Sequence, residues 1–171
     1  KMFNLNKIFA IFLILFISNC STFSKILKTD EDNYYSNSFE CESSKGWRNQ
    51  KKFNQFLFFW SVLKTKYAEE NSKIGKADVV IVGDSLVHLF TEELIKKEFQ
   101  NINIVQRGIG GDMSDLLIER MSDNVLNLNP KTIIIEIGGN DLIQGKCLSL
   151  LEGNLTRLVE TVKQANSTVK I

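Results

Sequence analysis

The sequence contains very little of several residue types that would otherwise point to a function. Histidine occurs once, at His88, and proline once, at Pro130. The formal net charge is +1 and no basic stripe is present, so nucleic acid is a poor candidate partner. One histidine among scattered carboxylates does not make a convincing metal site. The sequence therefore predicts no metal and no cofactor, and its length allows one domain plus a leader.

Long apolar runs are also scarce, and the first one lies close to the start of the chain. Lys7 precedes a wholly apolar run over residues 8–17, and Ser18-Asn19-Cys20 follows. The run is shorter than the roughly 20 residues that span a bilayer. A basic segment, a short apolar segment and a cysteine resemble a bacterial lipoprotein signal, in which Cys20 becomes the lipidated first residue. An ordinary signal peptide and an uncleaved anchor are the alternatives.

The leader predicts the organisation of the rest of the chain. Residues 1–20 form the signal, residues 21–46 a polar tether, and residues 47–171 the domain. The protein is then exported and anchored to the membrane on the periplasmic or cell-surface side. Cys41 lies in the tether and Cys147 in a predicted loop, and the sequence leaves open whether they are free thiols or a disulfide.

The stretch Val79-Val80-Ile81-Val82-Gly83-Asp84-Ser85-Leu86 is the most informative part of the domain. Continuous Val and Ile runs are typical of buried parallel strands. The run ends at Gly83, and Ser85 follows at the carboxyl end of the predicted strand, where ligands bind in open α/β sheets. Taken alone, Asp84 and Ser85 could equally cap the next helix.

Two further glycine-containing blocks also follow predicted strands. Gln106-Arg107-Gly108-Ile109-Gly110-Gly111-Asp112 follows the second strand, and Glu136-Ile137-Gly138-Gly139-Asn140-Asp141 contains the end of the third. The first of these lacks the lysine of a phosphate-binding loop and the spacing of a dinucleotide fingerprint.

In these three blocks the chain resembles the GDSL, or SGNH, family of serine esterases and lipases, including its bacterial lysophospholipase-like and platelet-activating-factor acetylhydrolase-like members. The resemblance implies Ser85 as nucleophile, with Gly108 and Asn140 contributing to the oxyanion hole. It assigns supporting roles to Gly83, Asp84, Gly139 and Asp141. The implied substrate is a small acyl ester or a lipid.

The fold class follows from the element pattern and from the resemblance. Three strand–helix units and the onset of a fourth strand at residues 168–171 predict a parallel, doubly wound α/β sheet with right-handed crossovers. The resemblance implies a flavodoxin-like three-layer fold with strand order 2-1-3-4-5. Only three strands and part of the fourth are present, so the expected domain is C-terminally incomplete.

The helices of the domain are predicted from apolar spacing. Aromatic and aliphatic residues recur at steps of three and four over residues 47–67, and this stripe favours packing against the sheet over contact with an acyl chain or lipid surface. Leu117, Met121, Val125 and Leu128 form the stripe of a later helix. We expect Asp112 and Asp115 to cap that helix, and Ser149 with Glu152 to form the capping box of the last one.

The family's final block, Asp-x-x-His, is absent, so no general base is evident. His88 lies three residues after Ser85 and could share its helix face, but helix position alone does not establish hydrogen-bond reach. Glu136 and Asp141 are not better candidates, and Glu136 needs a partner that the sequence does not identify. Two hypotheses remain: a truncated piece of a serine esterase that is inactive by itself, or a non-catalytic surface lipoprotein that uses the pocket for binding.

Overall fold

The structure is a computed structural model that describes residues 41–171. The predicted signal and lipidation site at Cys20, and the tether up to residue 40, lie outside the described residues. The elements follow in the order α1 (Gln50–Ile74), β1 (Val79–Gly83), α2 (Ser85–His88), α3 (Glu92–Glu98), β2 (Ile104–Gly108), α4 (Ser114–Asn124), a 3₁₀ turn (Leu126–Leu128), β3 (Thr132–Glu136), α5 (Gly139–Ile143) and α6 (Leu148–Ala165).

The three strands form a parallel sheet with order β2-β1-β3. Val80 of β1 pairs with Val105 of β2 and with Ile133 of β3, so the three β-branched runs lie in register. Lys170 makes a single parallel bridge to Thr132, which places the last residues beside β3. The predicted parallel α/β class and the order of the first three strands are confirmed.

The two faces of the sheet are covered to different extents. The crossover from β1 to β2 contains α3, and the crossover from β2 to β3 contains α4 and runs in the opposite direction, so right-handed connections place α3 and α4 on opposite faces. The face of α4 and α6 is completely buried and contains Val80, Val82, Ile133, Leu117, Met121, Leu158 and Val162. On the other face α3 lies against β2, whereas Ile134 of β3 is 49% exposed. The described residues therefore form three layers, and the layer that contains α3 leaves the β3 part of its sheet face exposed to solvent.

Helix α1 is longer than predicted and packs as expected. It continues to Ile74, where Gly75 closes the last turn with a positive φ. Phe53, Trp60 and Tyr67 are buried in a second apolar cluster with Ile109 and Leu116, so the predicted aromatic stripe is core. No helix within residues 41–171 is both long enough and apolar enough to cross a membrane.

Residues 41–49 form a strap that is fixed to the domain, although residues up to 46 were assigned to the tether. A disulfide joins Cys41 to Cys147 with a Cα–Cα distance of 5.1 Å. The Glu42 N–H donates to the carbonyl of Gly145 at 3.1 Å, and the Gly46 N–H donates to Asp115 at 2.9 Å. The sequence left open whether the two cysteines pair, and the structure shows them as a disulfide that ties the start of the strap to the domain.

Candidate active site

Ser85 lies in a tight turn between β1 and the four-residue helix α2. The Asp84 side chain caps this helix, because its Oδ1 accepts the N–H of Leu86 at 3.0 Å. Asp84 is buried, whereas Ser85 is exposed. The Ser85 hydroxyl makes no hydrogen bond to any described residue, so the structure presents it free at the carboxyl end of the central strand.

His88 approaches Ser85 but its Nδ1 atom has another partner. The Gly110 N–H donates to His88 Nδ1 at 3.2 Å. A Cβ placed on Gly110 would be 3.7 Å from His88 Nδ1 and 3.8 Å from the Ser85 Cβ, so the three residues surround one small space. With Nδ1 acting as an acceptor, the neutral imidazole carries its hydrogen on Nε2. His88 therefore holds the Gly110 loop through the nitrogen nearest to it.

Gly83 and Gly108 are glycines for a steric reason. A Cβ on Gly83 would be 1.9 Å from the carbonyl oxygen of Glu136, and a Cβ on Gly108 would be 2.2 Å from the backbone nitrogen of His88. Both contacts are far shorter than a real Cβ tolerates, so only glycine allows the two strand ends to approach their neighbours. The absence of a side chain at each position is what brings α2 against the sheet.

Gly108 does not present a free donor in this structure, although the sequence analysis gave it an oxyanion role. Its N–H donates to the Gln106 side chain, and its carbonyl accepts the Tyr67 hydroxyl at 2.7 Å. The N–H of Gly111, by contrast, has no hydrogen-bond partner among the described residues. Gly111 has a φ of +81°, a conformation that glycine adopts at little cost. The oxyanion role predicted for Gly108 therefore requires its N–H to exchange the Gln106 side chain for a substrate oxygen.

Asn140 lies in the first turn of α5 and links the other two blocks. Its Nδ2 atom donates to Asp84 Oδ2 at 3.1 Å and to the carbonyl of Asp112 at 3.0 Å. Gly139 faces the same carboxylate, since a Cβ there would be 3.9 Å from Asp84 Oδ2. Both N–H groups of the Asn140 amide are engaged, so the amide is held in position beside the Ser85 turn.

A buried ion pair lies underneath these loops. Asp112 and Arg120 are completely buried, and Arg120 NH2 lies 2.7 Å from Asp112 Oδ2. Arg120 also donates to the carbonyls of Arg107 at 2.8 Å and Gly83 at 3.1 Å, which joins the ends of β2 and β1. Burial raises the pKa of Asp112 to about 6, while Arg120 favours its charged form.

This arrangement corrects the predicted cap of α4. Asp112 does not cap the helix, because its carboxylate faces Arg120 and accepts the indole N–H of Trp60 at 3.1 Å. Sequence reasoning missed Arg120 altogether. The available signal was its position: it lies between Leu117 and Met121 of the buried stripe, so its side chain has to reach a buried acceptor.

Asp141 has a structural role in the fold, as expected. Its carboxylate accepts both the backbone N–H of Ser114, at 3.0 Å, and the Ser114 hydroxyl, so it caps the start of α4 from a different element. Asn154 of α6 donates to the same hydroxyl at 2.9 Å. Burial raises the pKa of Asp141, and the two bonds from Ser114 oppose that shift. Three helices are thereby connected next to Asn140.

Glu136 lies close to Asp84, but its Oε2 atom is buried without a hydrogen-bond partner among the described residues. Burial raises the pKa of Glu136, and the neighbouring Asp84 carboxyl raises it further. Gly83 pairs with Glu136 across the β1–β3 ladder, which places the two acidic side chains at the same end of the sheet. Glu136 therefore lies next to Asp84, the residue that accepts a hydrogen bond from Asn140.

The strap also reaches the Gly111 loop, which no sequence pattern indicated. The indole N–H of Trp47 donates to the carbonyl of Gly111 at 3.2 Å, and its ring stacks on Phe56 with centroids 4.5 Å apart. A Cβ on Gly111 would be 2.8 Å from the Trp47 ring. Trp47 of the strap and His88 of α2 thus hold the two glycines of this loop.

Comparisons with known proteins identify the family and the fold of the chain. The sequence profile of the GDSL-like lipase/acylhydrolase family matches residues 81–171. A structure described as a candidate platelet activating factor from Streptococcus pneumonia is 24% identical, with a TM-score of 0.63 over 70% of this chain and 56% of that one. A candidate acylhydrolase from Bacteroides fragilis is 27% identical, with a TM-score of 0.53 over 59% and 52%.

A third structure, a GDSL-like lipase from Bacteroides thetaiotaomicron, is 24% identical, with a TM-score of 0.50 over 60% of this chain and 53% of that one. No functionally curated protein matches the chain. The chain spans a little over half the length of each of these three structures. Because the family profile covers more than half of its residues, the chain belongs to the GDSL-like lipase/acylhydrolase family.

Proposed function

We propose that the chain is the nucleophile-bearing part of a serine ester hydrolase that acts on small acyl esters or lipids. The observation that carries the proposal is the exposed Ser85 hydroxyl, which makes no hydrogen bond to a described residue. It lies beside the Gly110–Gly111 loop, and Asn140 is fixed between the Asp84 side chain and the carbonyl of Asp112. Membership of the GDSL-like lipase/acylhydrolase family supports ester hydrolysis as the reaction.

In the proposed reaction Ser85 Oγ attacks the ester carbonyl carbon and loses its proton to a base. The tetrahedral intermediate then expels the alcohol, which takes up a proton, and leaves an acyl-serine that water hydrolyses. The negative charge on the carbonyl oxygen would be met by the N–H of Ser85, the N–H of Gly108 and one N–H of Asn140. For this, the Gly108 N–H exchanges the Gln106 side chain for the substrate oxygen. Asn140 likewise exchanges either Asp84 or Asp112 for the substrate oxygen as its acceptor. Such donors typically contribute about 10²–10³ each to the rate.

The described residues provide no base for Ser85. We propose that the base lies in a segment equivalent to the part of the related structures that these 171 residues do not span. His88 is the single histidine of the sequence, and the Gly110 N–H occupies its Nδ1. We therefore expect the 171 residues alone to show only the residual rate that oxyanion donors and binding supply, around 10³–10⁴ over water in well-studied triads.

A second candidate function is a non-catalytic binding lipoprotein, and the observation that favours it is the bonded Nδ1 of His88. Without a base among the described residues, the exposed surface around Ser85 would hold an ester without cleaving it. The two candidates differ in turnover but not in the site that contacts the ligand.

The test uses a fluorophosphonate probe and p-nitrophenyl esters on the protein as its gene encodes it. We expect labelling and hydrolysis to disappear in Ser85→Ala and to persist in Ser72→Ala, an exposed serine on α1. Asn140→Ala should lower turnover by about 10²-fold or more. Full activity in Ser85→Ala would overturn the assignment, and ester binding without turnover in the encoded protein would favour the binding function.

We further propose that the protein is exported and lipidated at Cys20. The pattern from Lys7 to Cys20 supports this, and so does the Cys41–Cys147 disulfide, since disulfides persist in oxidising compartments outside the cytosol. Mass spectrometry of the protein from its native membrane should find a diacylglycerol-modified cysteine as the first residue. An unmodified N-terminus at another residue would contradict lipidation.

A further inference from the structure

Helix α1 exposes two phenylalanines on its outer surface. Phe58 is 66% exposed, Phe59 is 67% exposed, and Val62, one turn later, is 52% exposed. The two rings pack against each other edge to face with centroids 5.6 Å apart. Large apolar side chains clustered on one surface are uncommon unless that surface contacts something. We refer to Phe58, Phe59 and Val62 as the α1 patch.

The α1 patch lies opposite the buried face of the same helix. At 100° per residue, Phe58 and Val62 point almost directly away from Phe53, Trp60 and Tyr67, which are buried against the domain. The helix therefore has two apolar faces, and only one of them is used in the described fold. The sequence stripe that predicted the packing face did not include the patch.

The charged residues around the α1 patch are mostly basic. On the same side of the helix, the exposed ionisable residues are Lys51, Lys52, Lys66, Lys73 and Glu69. Lys66 pairs with Glu70 at 3.6 Å, whereas Lys51, Lys52 and Lys73 form no salt bridge with a described residue. Aromatic residues flanked by lysines on one helix face are typical of helices that lie in a membrane interface.

Two observations favour a lipid surface over a protein as the occupant. Lysine is depleted in protein–protein interfaces, where arginine is enriched, and the exposed basic residues here are all lysines. The sequence before the described residues also contains the apolar run at 8–17, and the strap connects that part of the chain to α1 through residues 41–49. A chain held to a membrane through the apolar run would keep the domain near the bilayer.

We propose that the outer face of α1 docks on an anionic bilayer, with Phe58, Phe59 and Val62 in the lipid interface and the lysines on the acidic headgroups. Lysine side chains extend along an apolar surface while their ammonium groups remain in water, which matches this arrangement. The inference goes beyond ester hydrolysis and does not depend on it.

The experiment places a reporter tryptophan in the full chain and exposes it to brominated lipids. Phe59→Trp puts the reporter in the patch, and Val159→Trp is the matched control on α6, at a side chain that is 43% exposed. Trp47 and Trp60 give the same background in both. We expect brominated phosphatidylglycerol vesicles to quench the added fluorescence of Phe59→Trp and to leave that of Val159→Trp unchanged. Membrane binding through residues 1–40 would be common to both variants and would not produce this difference.

A charge series tests the lysines separately. In the Phe59→Trp background, Lys51→Gln/Lys52→Gln/Lys66→Gln should weaken quenching by phosphatidylglycerol vesicles at least about tenfold in lipid concentration. Lys96→Gln/Lys97→Gln/Lys170→Gln removes three exposed lysines elsewhere and should have little effect. High salt or brominated phosphatidylcholine should imitate the first triple variant.

Three results would overturn the inference. Equal quenching at both reporter positions would mean that lipid contact is not directed by α1. No quenching at Phe59→Trp, together with self-association that Phe58→Ser/Phe59→Ser removes, would assign the patch to a second copy of the chain. Equal effects of the two lysine triples would show that the basic side of α1 is not what attracts the membrane.

Discussion

The support beneath the candidate site and the rim above it differ in almost every physical respect. Below Ser85, Asp112, Arg120 and Asp141 are completely or almost completely buried and fully bonded to one another or to backbone carbonyls and amides. The rim consists of Ser85, which is exposed, and of nearby side chains such as Leu89, which is 75% exposed. A reacting serine needs free access, whereas the groups that aim it need to be immobile. The contrast therefore matches a site in which buried, hydrogen-bonded residues fix the position of an exposed serine.

The largest expected effect comes from breaking the support at Arg120. Arg120→Met leaves the Asp112 carboxylate buried without its cation and releases the ends of β1 and β2. We expect the free energy of unfolding in urea to fall by about 3–5 kcal/mol.

Asp112→Asn/Arg120→Met is the matched control, because it removes the pair rather than one partner. We expect the double variant to recover part of the loss. If the single and double variants lose the same free energy, the pair is not what holds the strand ends together.

A smaller effect is expected from Glu136, which lies at the boundary between support and rim. Its pKa is raised in the fold, so the folded protein keeps a proton that the unfolded chain releases. The stability contributed by the protonated form is complete at low pH and is lost as the pH rises through the folded pKa. Glu136→Gln keeps a neutral side chain at every pH.

Unfolding measured at several values from about pH 4 to about pH 7 should therefore show the variant gaining stability relative to the wild type as the pH rises. Asp112 titrates in both proteins, so the comparison isolates Glu136. A constant difference across the range would mean that the pKa of Glu136 is not raised in the folded protein.

The smallest effect on stability should come from the rim. Leu89→Ser and Leu86→Ser change side chains that are mostly exposed, so each should alter the free energy of unfolding by no more than about 0.5 kcal/mol. If the rim contacts the substrate, the same variants should raise KM for longer acyl esters and leave acetate esters unaffected. A large loss of stability would show that these leucines belong to the support.

The strands and their order were predictable because they depend on short, local signals. Val79 to Val82 and Ile133 to Ile135 are β-branched runs that end at glycine or acidic residues, and the crossovers fix the direction of each step. The stripe Leu117, Met121, Val125 and Leu128 is completely buried as predicted, but α4 ends at Asn124, so Val125 lies at its C-cap and Leu128 lies in the 3₁₀ turn.

The caps were harder to predict because several polar residues compete for each helix start. The predicted capping box at Ser149 and Glu152 is wrong: α6 begins at Leu148, after Cys147, and that cap makes no side-chain hydrogen bond. The disulfide to Cys41 fixes Cys147 instead. A contact between residues 106 positions apart has no local pattern that could reveal it.

The roles of individual site residues were predictable only in part. The turn at Ser85 and the placement of Asn140 follow from their motifs. Which acceptor the Gly108 N–H bonds to depends instead on the side chain that reaches it. Gln106 occupies that N–H, and Trp47 and His88 hold the next two glycines. Such contacts depend on residues that are distant in sequence, so spacing within one motif could not indicate them.

The Cys41–Cys147 bond closes a covalent ring around residues 42–146, and all three motif blocks lie on that ring. A protease that cuts once inside the ring opens it without releasing either piece. The nicked protein would run as one band on a non-reducing gel and as two after reduction. Ser85 and Asn140 would stay joined through the sulfur atoms even when the backbone between them is broken.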